Sequence, residues 1–431
     1  MNPVVGPDAA MSPSGGPGGS TTLADVLAPE RRTRADLLAA VAIAVVVVIA
    51  IAVVWWISDA RGTISEPAAH AAEQPAAADQ LPQSLHELWH APDGAALRAL
   101  TVAGVAVAAD GGTVTGYDPA TGKQVWKYQR DMPLCGVEAQ YGTVVATYRD
   151  QRGCSQTTML SADSGARRTA RSSYMDHAIT LTADGTYFLA QGSDRLEMWR
   201  SDLVRTLEYG YVDAPVNIKT QPRVGCTLLS SVSSSSRLAV LEHCPGDGAD
   251  RLSVLNPAPK DSTVPEEYGS HVLTNPGANV DGARVLAVAD NRVLLYLPGT
   301  ATTAPELAIF DGTANMLSTE RLNAPLPPTA TTTRIGSAYL IYSGNSVIAL
   351  NATTFDPLWT APDALGSPVL MAGRILIPVD GAIAALDPET GAETTRIPLQ
   401  RSDYHNGPIS LAVVGSTILE QRDGRVYGVG Q

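Results

Sequence analysis

Four cysteines offer the first possible chemistry in this sequence, and they form two close pairs, Cys135 with Cys154 and Cys226 with Cys244. All four follow a long apolar run near the N-terminus. Because exported domains are exposed to an oxidising environment, an even number of cysteines there predicts disulfides. Four cysteines allow three pairings, and the sequence does not choose among them. We expect the two pairs that are close in the chain.

Other residues with catalytic or metal-binding chemistry lack the partners that such chemistry needs. The stretch 242–244 reads Glu-His-Cys, but it lacks the close Cys-x-x-Cys or His-x-x-x-His spacing of a zinc site. Asp176-His177 and Asp403-x-His405 each place a carboxyl beside an imidazole, without a nucleophile at a known distance. The sequence also has no G-x-S-x-G elbow and no phosphate-binding glycine loop. We therefore predict no catalytic site, no metal and no enzyme activity.

The apolar run 37–57 contains no charged residue and predicts a transmembrane helix. At about 1.5 Å per residue it spans roughly 30 Å, the thickness of the hydrocarbon core. Trp55 and Trp56 end the run, and three arginines precede it, which favours a cytoplasmic N-terminus and an exported remainder. The alternative is a cleaved signal peptide, whose apolar region is shorter, roughly 7–15 residues.

Composition divides the rest of the chain. Residues 1–36 are rich in Pro, Gly and Ser at first and predict a disordered cytoplasmic tail, whereas residues 58–84 are rich in Ala and Pro and predict a linker. The formal charge of −13 argues against a nucleic-acid partner, whose phosphates need a basic surface.

From residue 85 to 431, short apolar runs alternate with Gly, Asp, Asn and Pro in an all-β pattern. One turn recurs, most clearly as GYDPATGKQVW at 116–126 and ALDPETGAET at 385–394. Its copies begin at 114, 158, 195, 251, 306, 346, 382 and 424. A spacing of roughly 35–55 residues is typical of a four-stranded propeller blade. The pattern predicts eight blades, with seven as the alternative because the copies at 251 and 306 are degraded.

The last copy stops before its fourth strand, whereas the stretch 84–92, SLHELWHAP, resembles a fourth strand without a blade of its own. We therefore expect this N-terminal strand to close the last blade and the ring.

The repeated turn resembles that of the pyrroloquinoline-quinone-type β-propellers. The residues that carry the resemblance are Asp118, Thr121, Gly122 and Trp126 in one copy and Asp387, Thr390 and Gly391 in another. The family includes quinoprotein dehydrogenases and propellers that only bind proteins. The dehydrogenases use adjacent cysteines, a tryptophan beneath the quinone and a calcium ion, and this sequence has no matching set. We therefore expect no cofactor.

The turn residues have physical roles that need no ligand. The carboxylate of Asp118 can accept hydrogen bonds from backbone amides of its turn, and Gly122 can adopt a positive φ. Trp126, Trp359 and Trp89 occupy matching places in their repeats, so we expect them to pack between neighbouring blades.

Together these features predict a single-pass protein of the bacterial cell membrane with an eight-bladed propeller outside. We expect a non-enzymatic scaffold or accessory subunit that binds another envelope protein. The alternatives are a quinone-dependent dehydrogenase and a sensor of a small ligand.

Overall fold

In the computed structural model, residues 33–431 are described, and the chain divides into two units between Arg61 and Gly62. The first unit contains one α-helix, Arg34–Ile57 (α1), and a 3-10 turn at Asp59–Gly62 follows it. By length and composition, the part of α1 from Arg34 to Trp56 could cross a membrane. This single apolar helix near the N-terminus fits a signal anchor.

α1 begins three residues before the predicted boundary because Thr33 caps it. The Thr33 hydroxyl accepts a hydrogen bond from the Asp36 N–H, and the Asp36 carboxylate accepts one from the Thr33 N–H. Residues 1–32, which make up most of the predicted tail, lie outside the described residues.

The second unit consists of eight antiparallel sheets, which we number as blades 1 to 8 in chain order. The eight-bladed prediction is therefore confirmed, and the seven-bladed alternative is wrong. In blades 1 to 4 the strands are, in chain order, Leu100–Val102, Val105–Asp110, Thr113–Tyr117 and Gln124–Gln129; Leu134–Gln140, Thr143–Asp150, Gly153–Ser161 and Arg167–Ser172; Thr180–Ala183, Phe188–Gln191, Arg195–Trp199 and Arg205–Gly210; Thr227–Ser233, Leu238–His243, Arg251–Leu255 and Glu267–Val272.

The remaining blades repeat the arrangement. Blades 5 to 7 contain Arg284–Ala289, Arg292–Leu297, Glu306–Asp311 and Met316–Arg321; Thr331–Ile335, Ala338–Tyr342, Ser346–Asn351 and Pro357–Pro362; Val369–Met371, Arg374–Val379, Ala382–Leu386 and Glu393–Pro398. Blade 8 contains Ile409–Val414, Thr417–Arg422, Arg425–Gly430 and the N-terminal strand His86–Pro92, with the short strand Gly366–Ser367 parallel to its first strand.

The ring closes as the sequence predicts. His86–Pro92 pairs antiparallel with Arg425–Gly430 and forms the fourth strand of blade 8. The second strand of blade 1 and the third strand of blade 7 read as nearly continuous apolar runs because neighbouring blades cover both of their faces. The core is accordingly a series of clusters between blades, such as the one that joins Trp126 in blade 1 to Tyr148 in blade 2.

In blades 1, 2 and 7 the repeated turn contacts a tryptophan of the previous blade. In blade 1, the Asp118 carboxylate accepts hydrogen bonds from the N–H and hydroxyl of Thr121. The Trp89 indole of blade 8 donates to the Pro119 carbonyl at 2.8 Å. Gly122 has a φ of +67°, and a Cβ there would lie 2.4 Å from the Trp89 ring. Two separate constraints therefore require glycine at this position: the positive φ of its backbone and the tryptophan ring that packs on it.

The same contact recurs elsewhere in the ring. The Trp126 indole donates to the Ala162 carbonyl of blade 2 at 2.7 Å, and the Trp359 indole of blade 6 donates to Pro388 of blade 7 at 3.1 Å. In blade 7, Asp387 accepts from the Thr390 N–H and hydroxyl, and Gly391 lies against the Trp359 ring. The tryptophans thus lie between blades.

Residues 62–84, which we call the strap, pack on the propeller, whereas the composition predicted a linker. Ile64–Glu66 pairs antiparallel with Gln124–Gln129 and adds a fifth strand to blade 1. Farther along, the N–H groups of Ala68 and Ala72 donate to carbonyls of a blade 2 turn at 2.8 and 2.9 Å. Backbone atoms make these contacts, and small alanine side chains allow the close approach, so composition alone does not reveal them.

The strap then crosses to the last two blades. The Glu73 carbonyl lies so close to Gly104 of blade 1 that a Cβ there would be 2.3 Å away. Pro75 contacts Gly415 of blade 8, and Leu81 packs against the apolar cluster between blades 7 and 8. The strap therefore ties together blades on both sides of the ring closure.

Asp93 follows the closing strand and is completely buried at the junction of blades 8 and 1. Its N–H donates to the Gly424 carbonyl, and its Oδ1 accepts from the Ala109 N–H at 2.7 Å, whereas its Oδ2 has no hydrogen-bond partner. Burial raises the pKa of Asp93 to about 8, against the effect of the Ala109 N–H, and Asp110 adds to the rise. The carboxyl is therefore protonated at neutral pH.

Replacing Gly122 by Ala tests the contact between turn and tryptophan. Gly142 serves as a matched control, since its φ is +68° and a Cβ there would meet nothing within 4 Å. Both substitutions strain the backbone by about 1–2 kcal/mol. We expect Gly122→Ala to lower the free energy of unfolding by about 1–3 kcal/mol more, because its Cβ overlaps Trp89. Chemical denaturation of both variants measures the difference, and equal losses would contradict the packing role.

The raised pKa of Asp93 predicts a stability that falls with rising pH. The carboxyl titrates near 3.8 when unfolded and near 8 when folded, so folding binds a proton between these values. The free energy of unfolding contributed by Asp93 is thus complete below about pH 4 and lost as the pH rises through about 8. We expect Asp93→Asn to raise the melting temperature more at about pH 9 than at about pH 5. Asp380→Asn, at an exposed turn, is the control, and an identical pH dependence in both variants would contradict the assignment.

Candidate interaction surface

Asp176 and His405, from the two carboxyl–imidazole pairs of the sequence, each have a partner outside their own pair. The Asp176 carboxylate accepts hydrogen bonds from the N–H groups of Asp194 and Arg195, at 2.8 and 3.2 Å, and so holds a turn of blade 3. His405 is exposed, and its Nδ1 lies 3.7 Å from Asp423 of blade 8. Both pairs therefore belong to turns at the ends of blades.

The cysteines form the two disulfides that the spacing favours. Cys135–Cys154 joins the first and third strands of blade 2, and Cys226–Cys244 joins the start of blade 4 to the end of its second strand. Glu242 lies close to the second disulfide. Because the two sulfur atoms are bonded to each other, they are not available as thiolate ligands for a metal.

The other side chains of the stretch 242–244 also have structural partners. The buried carboxylate of Glu242 accepts hydrogen bonds from the Tyr209 hydroxyl at 2.9 Å and from the Ser253 hydroxyl at 2.6 Å. Burial raises the pKa of Glu242. His243 is more than half exposed, and its Nδ1 lies 2.9 Å from Asp250. The three side chains of this stretch therefore do not converge on one ligand.

The closing strand contains a metal motif that the sequence analysis missed. Residues 86–90 read His-Glu-Leu-Trp-His, which matches the H-E-x-x-H of zinc proteases. That motif binds zinc on a helix, where the two histidines are one turn apart. In a strand, residues four apart are separated by about 13 Å. Glu87 forms an ion pair with Arg422, and His90 packs on Tyr427. The strand therefore separates the two histidines that a zinc ion would need.

Blade 3 contains a buried ion-pair cluster that was also not predicted. Glu197 is completely buried and accepts hydrogen bonds from Arg195 at 2.6 Å, Arg171 at 3.0 Å and the Trp199 indole at 2.8 Å. Burial raises the pKa of Glu197, but the two arginines outweigh it and hold the pKa below its usual value. The only sequence signal is the Arg-x-Glu spacing at 195–197, which places both side chains on one side of a strand.

The most unusual surface feature is the connection between blades 3 and 4, residues 211–226, which we call the rim loop. It is the longest connection between successive blades among the described residues. Three of its polar side chains, Asn217, Gln221 and Arg223, bond to the propeller, whereas Asp213 and Lys219 are exposed. Asn217 donates to Asp261 at 3.2 Å and to the Thr263 hydroxyl at 2.7 Å, and Gln221 donates to the Glu208 carbonyl at 3.2 Å.

The end of the rim loop is held more firmly. The Arg223 guanidinium lies 3.0 Å from a Glu267 carboxylate oxygen and donates to the Ser270 hydroxyl at 2.7 Å. Its Nε lies 3.5 Å from Glu242. Three residues later, Cys226 is fixed by its disulfide to Cys244. The loop is therefore attached to blade 4 by an ion pair and a covalent bond.

The apolar side chains of the rim loop point the other way. Val216 is 80% exposed, Ile218 is 75% exposed, Val224 is 63% exposed and Tyr211 is 51% exposed. Surface loops normally place polar groups in water and apolar groups inward, and contiguous patches of exposed apolar groups mark interaction sites. The rim loop departs from this arrangement, since its amides and one guanidinium attach it to the propeller while its aliphatic groups face solvent.

The inward hydrogen bonds predict how the rim loop responds to mutation. Asn217→Ala removes two side-chain hydrogen bonds, so the segment should open more often. We expect trypsin to cleave after Lys219 several times faster in this variant than in the wild type. Asn323→Ala, on an exposed connection between blades 5 and 6, is the control. Equal cleavage rates in wild type and Asn217→Ala would show that these bonds do not hold the loop.

Sequence comparison places one part of the chain within a known repeat family. Residues 82–170, which include the closing strand, blade 1 and most of blade 2, match the family model described as outer membrane protein assembly factor BamB, a PQQ-type repeat. This match confirms the resemblance for that part of the chain. No curated protein is significantly similar in sequence.

Several solved structures have a similar fold. BamB from Moraxella catarrhalis is 18% identical, over 80% of this chain and 100% of that one, with a TM-score of 0.49. The computationally designed protein Ika8 is 14% identical, over 80% and 99%, with a TM-score of 0.53. Sqt1 from Saccharomyces cerevisiae is 10% identical, over 84% and 99%, with a TM-score of 0.48. At such identities a likeness concerns the fold alone, and the chain is an eight-bladed β-propeller with PQQ-type repeats at its start.

Proposed function

We propose that this protein is a non-enzymatic scaffold that binds another protein of the cell envelope through its rim loop. The observation that carries the proposal is the exposure of aliphatic side chains on a loop whose amides are bonded to the propeller. Val216 and Ile218 are 80% and 75% exposed, while Asn217 between them is hydrogen-bonded to blade 4. Exposure of these aliphatic side chains to water is unfavourable, whereas their burial under a partner is favourable.

Burial of these side chains would supply a useful binding free energy. Fully burying one Val or Ile contributes about 1.5–3 kcal/mol. A few such residues at the centre of an interface carry most of its affinity. Because hydrogen bonds, an ion pair and a disulfide already hold the rim loop, little conformational entropy is lost on binding.

The family match supports an accessory role. Residues 82–170 match the model described as outer membrane protein assembly factor BamB, which favours a task in assembling envelope proteins. The apolar helix α1 and the two disulfides support an exported propeller anchored in the cytoplasmic membrane. The arginines before α1 favour a cytoplasmic N-terminus.

The alternatives lack a feature that favours them among residues 33–431. A quinone-dependent dehydrogenase of this fold would use adjacent cysteines, but the cysteines here lie in separate strands and connections, each bonded to a partner at least 18 residues away. A small-ligand sensor would need an enclosed binding site, whereas the opening lined by Lys260, Asp261 and Glu266 lies along a single surface turn.

Replacing the two most exposed side chains tests the proposed surface. We expect the double variant Val216→Ser with Ile218→Ser to recover about tenfold less partner after crosslinking in cells and purification from membranes, because the central apolar contacts are lost. Its melting temperature should stay within a degree or two, since both side chains are exposed.

A matched control is available on blade 5. Met316 and Leu317 are also exposed apolar neighbours, so Met316→Ser with Leu317→Ser makes the same kind of change elsewhere. This variant should recover the partner normally. If the rim-loop variant recovered as much partner as the control, the rim loop would not be the binding surface.

A further inference from the structure

Metal-ligating atoms of three side chains converge where the rim loop ends. The Sγ atoms of Cys226 and Cys244 and a carboxylate oxygen of Glu242 lie within 4.8 Å of one another, and all three residues are buried. Among residues 33–431, no other set of three His, Cys, Asp or Glu side chains converges in this way. We infer that the chain, before this disulfide forms, binds a zinc ion through Cys226, Cys244 and Glu242.

The carboxylate of Glu242 lacks the partner that a buried charge normally has. Glu242 is completely buried, and its hydrogen bonds come from neutral groups, the hydroxyls of Tyr209 and Ser253. The Arg223 guanidinium contacts Glu267 at 3.0 Å, whereas its Nε lies 3.5 Å from Glu242 and forms no hydrogen bond. Buried charges in proteins are normally paired or coordinate metals. The carboxylate beside the two sulfur atoms is therefore suited to a cation.

The donor set favours zinc over other common cations. Thiolate sulfur and carboxylate oxygen are both zinc ligands, and three protein ligands leave the fourth position of the metal to water. Ca²⁺ and Mg²⁺ bind oxygen ligands and would use one of the three groups only. The hydrogen bonds from Tyr209 and Ser253 would fix the orientation of the carboxylate, as the outer partners of metal ligands do. His243 is not part of the site, since its ring pairs with Asp250.

The zinc site belongs to the chain before oxidation, so the inference rests on the proposed export. A chain made in the reducing cytoplasm has free thiols, and its disulfides form after export. Zinc binding displaces the thiol protons of Cys226 and Cys244. In the oxidation that follows, a disulfide oxidant such as an exported thiol–disulfide oxidoreductase accepts two electrons, and its own two sulfur atoms take up protons and become thiols. The Cys226–Cys244 bond forms, and the zinc ion is released.

A zinc ion at this place would act before the disulfide does. It would hold the end of the rim loop against the strand Leu238–His243, which Cys244 follows. It would also keep Cys226 and Cys244 together and so disfavour the two wrong pairings that four cysteines allow. The other disulfide, Cys135–Cys154, belongs to no converging set of ligands among residues 33–431 and provides a matched comparison.

The test measures zinc binding by the full-length protein in detergent after reduction with a water-soluble phosphine, which adds no competing thiol. Zinc is titrated in competition with a chromogenic chelator of known affinity. Every sample carries Cys135→Ser with Cys154→Ser, so that one cysteine pair remains. In this background Glu242→Gln is compared with Glu267→Gln. Glu267 is a neighbouring carboxylate that also contacts Arg223 but does not belong to the converging set.

We expect the reduced chain to bind a single zinc ion and the oxidised chain to bind none. Glu242→Gln should weaken zinc binding by at least about tenfold, whereas Glu267→Gln should leave it unchanged. Equal affinities with and without Glu242→Gln would overturn the site, because thiols of an unfolded chain bind zinc without the carboxylate. A reduced chain that lost its β-sheet circular dichroism and did not regain it with zinc would overturn it as well. Neither result affects the rim-loop test, which uses the oxidised protein.

Discussion

Each blade is a twisted sheet with two apolar faces, so it is stable only when another blade covers each face. In a ring this requirement is met for every blade only if the first and last blades also meet. His86–Pro92 satisfies it by completing blade 8 directly before the chain enters blade 1. Trp89, on that strand, packs on Gly122 of blade 1. The strap adds a second connection across the same junction, with Ile64–Glu66 on blade 1 and Leu81 against blades 7 and 8.

A closed ring also determines what its surface can do. The blades bury their own apolar residues against each other, so a loop on the rim need not contribute to the core. Residues 211–226 therefore use amides and a guanidinium for attachment and leave aliphatic groups in solvent. The two ends of the loop are fixed, since Arg195 of the ion-pair cluster donates a hydrogen bond to the Tyr211 carbonyl at 3.2 Å and the disulfide Cys226–Cys244 holds the other end. Rigid support and exposed apolar groups together make a preorganised binding surface.

The sequence predicted the repeating parts of this structure. Eight copies of one turn between strands predicted eight blades, although copies such as those at 195, 251 and 346 have no glycine. It did not predict the strap, whose contacts are made by backbone atoms of alanine-rich residues such as Ala68 and Ala72. It did not predict the rim loop either, since the inward direction of Asn217 depends on Thr263, far along the chain. The H-E-x-x-H match at 86–90 shows the converse. The motif is present in the sequence, but it lies in a strand, which holds its two histidines too far apart to bind one zinc ion.

Hydrogen–deuterium exchange of the rim loop in native membranes is the most direct test of its role. The full-length protein would be labelled in membrane preparations and again after purification in detergent, and peptides covering residues 211–226 would be compared. Binding of a protein partner predicts slower exchange of these peptides in the membranes, with no change in the exposed loop 298–305 of blade 5. Identical exchange of residues 211–226 in both preparations, at a protein level where other envelope complexes stay intact, would contradict a rim loop that is covered by a partner.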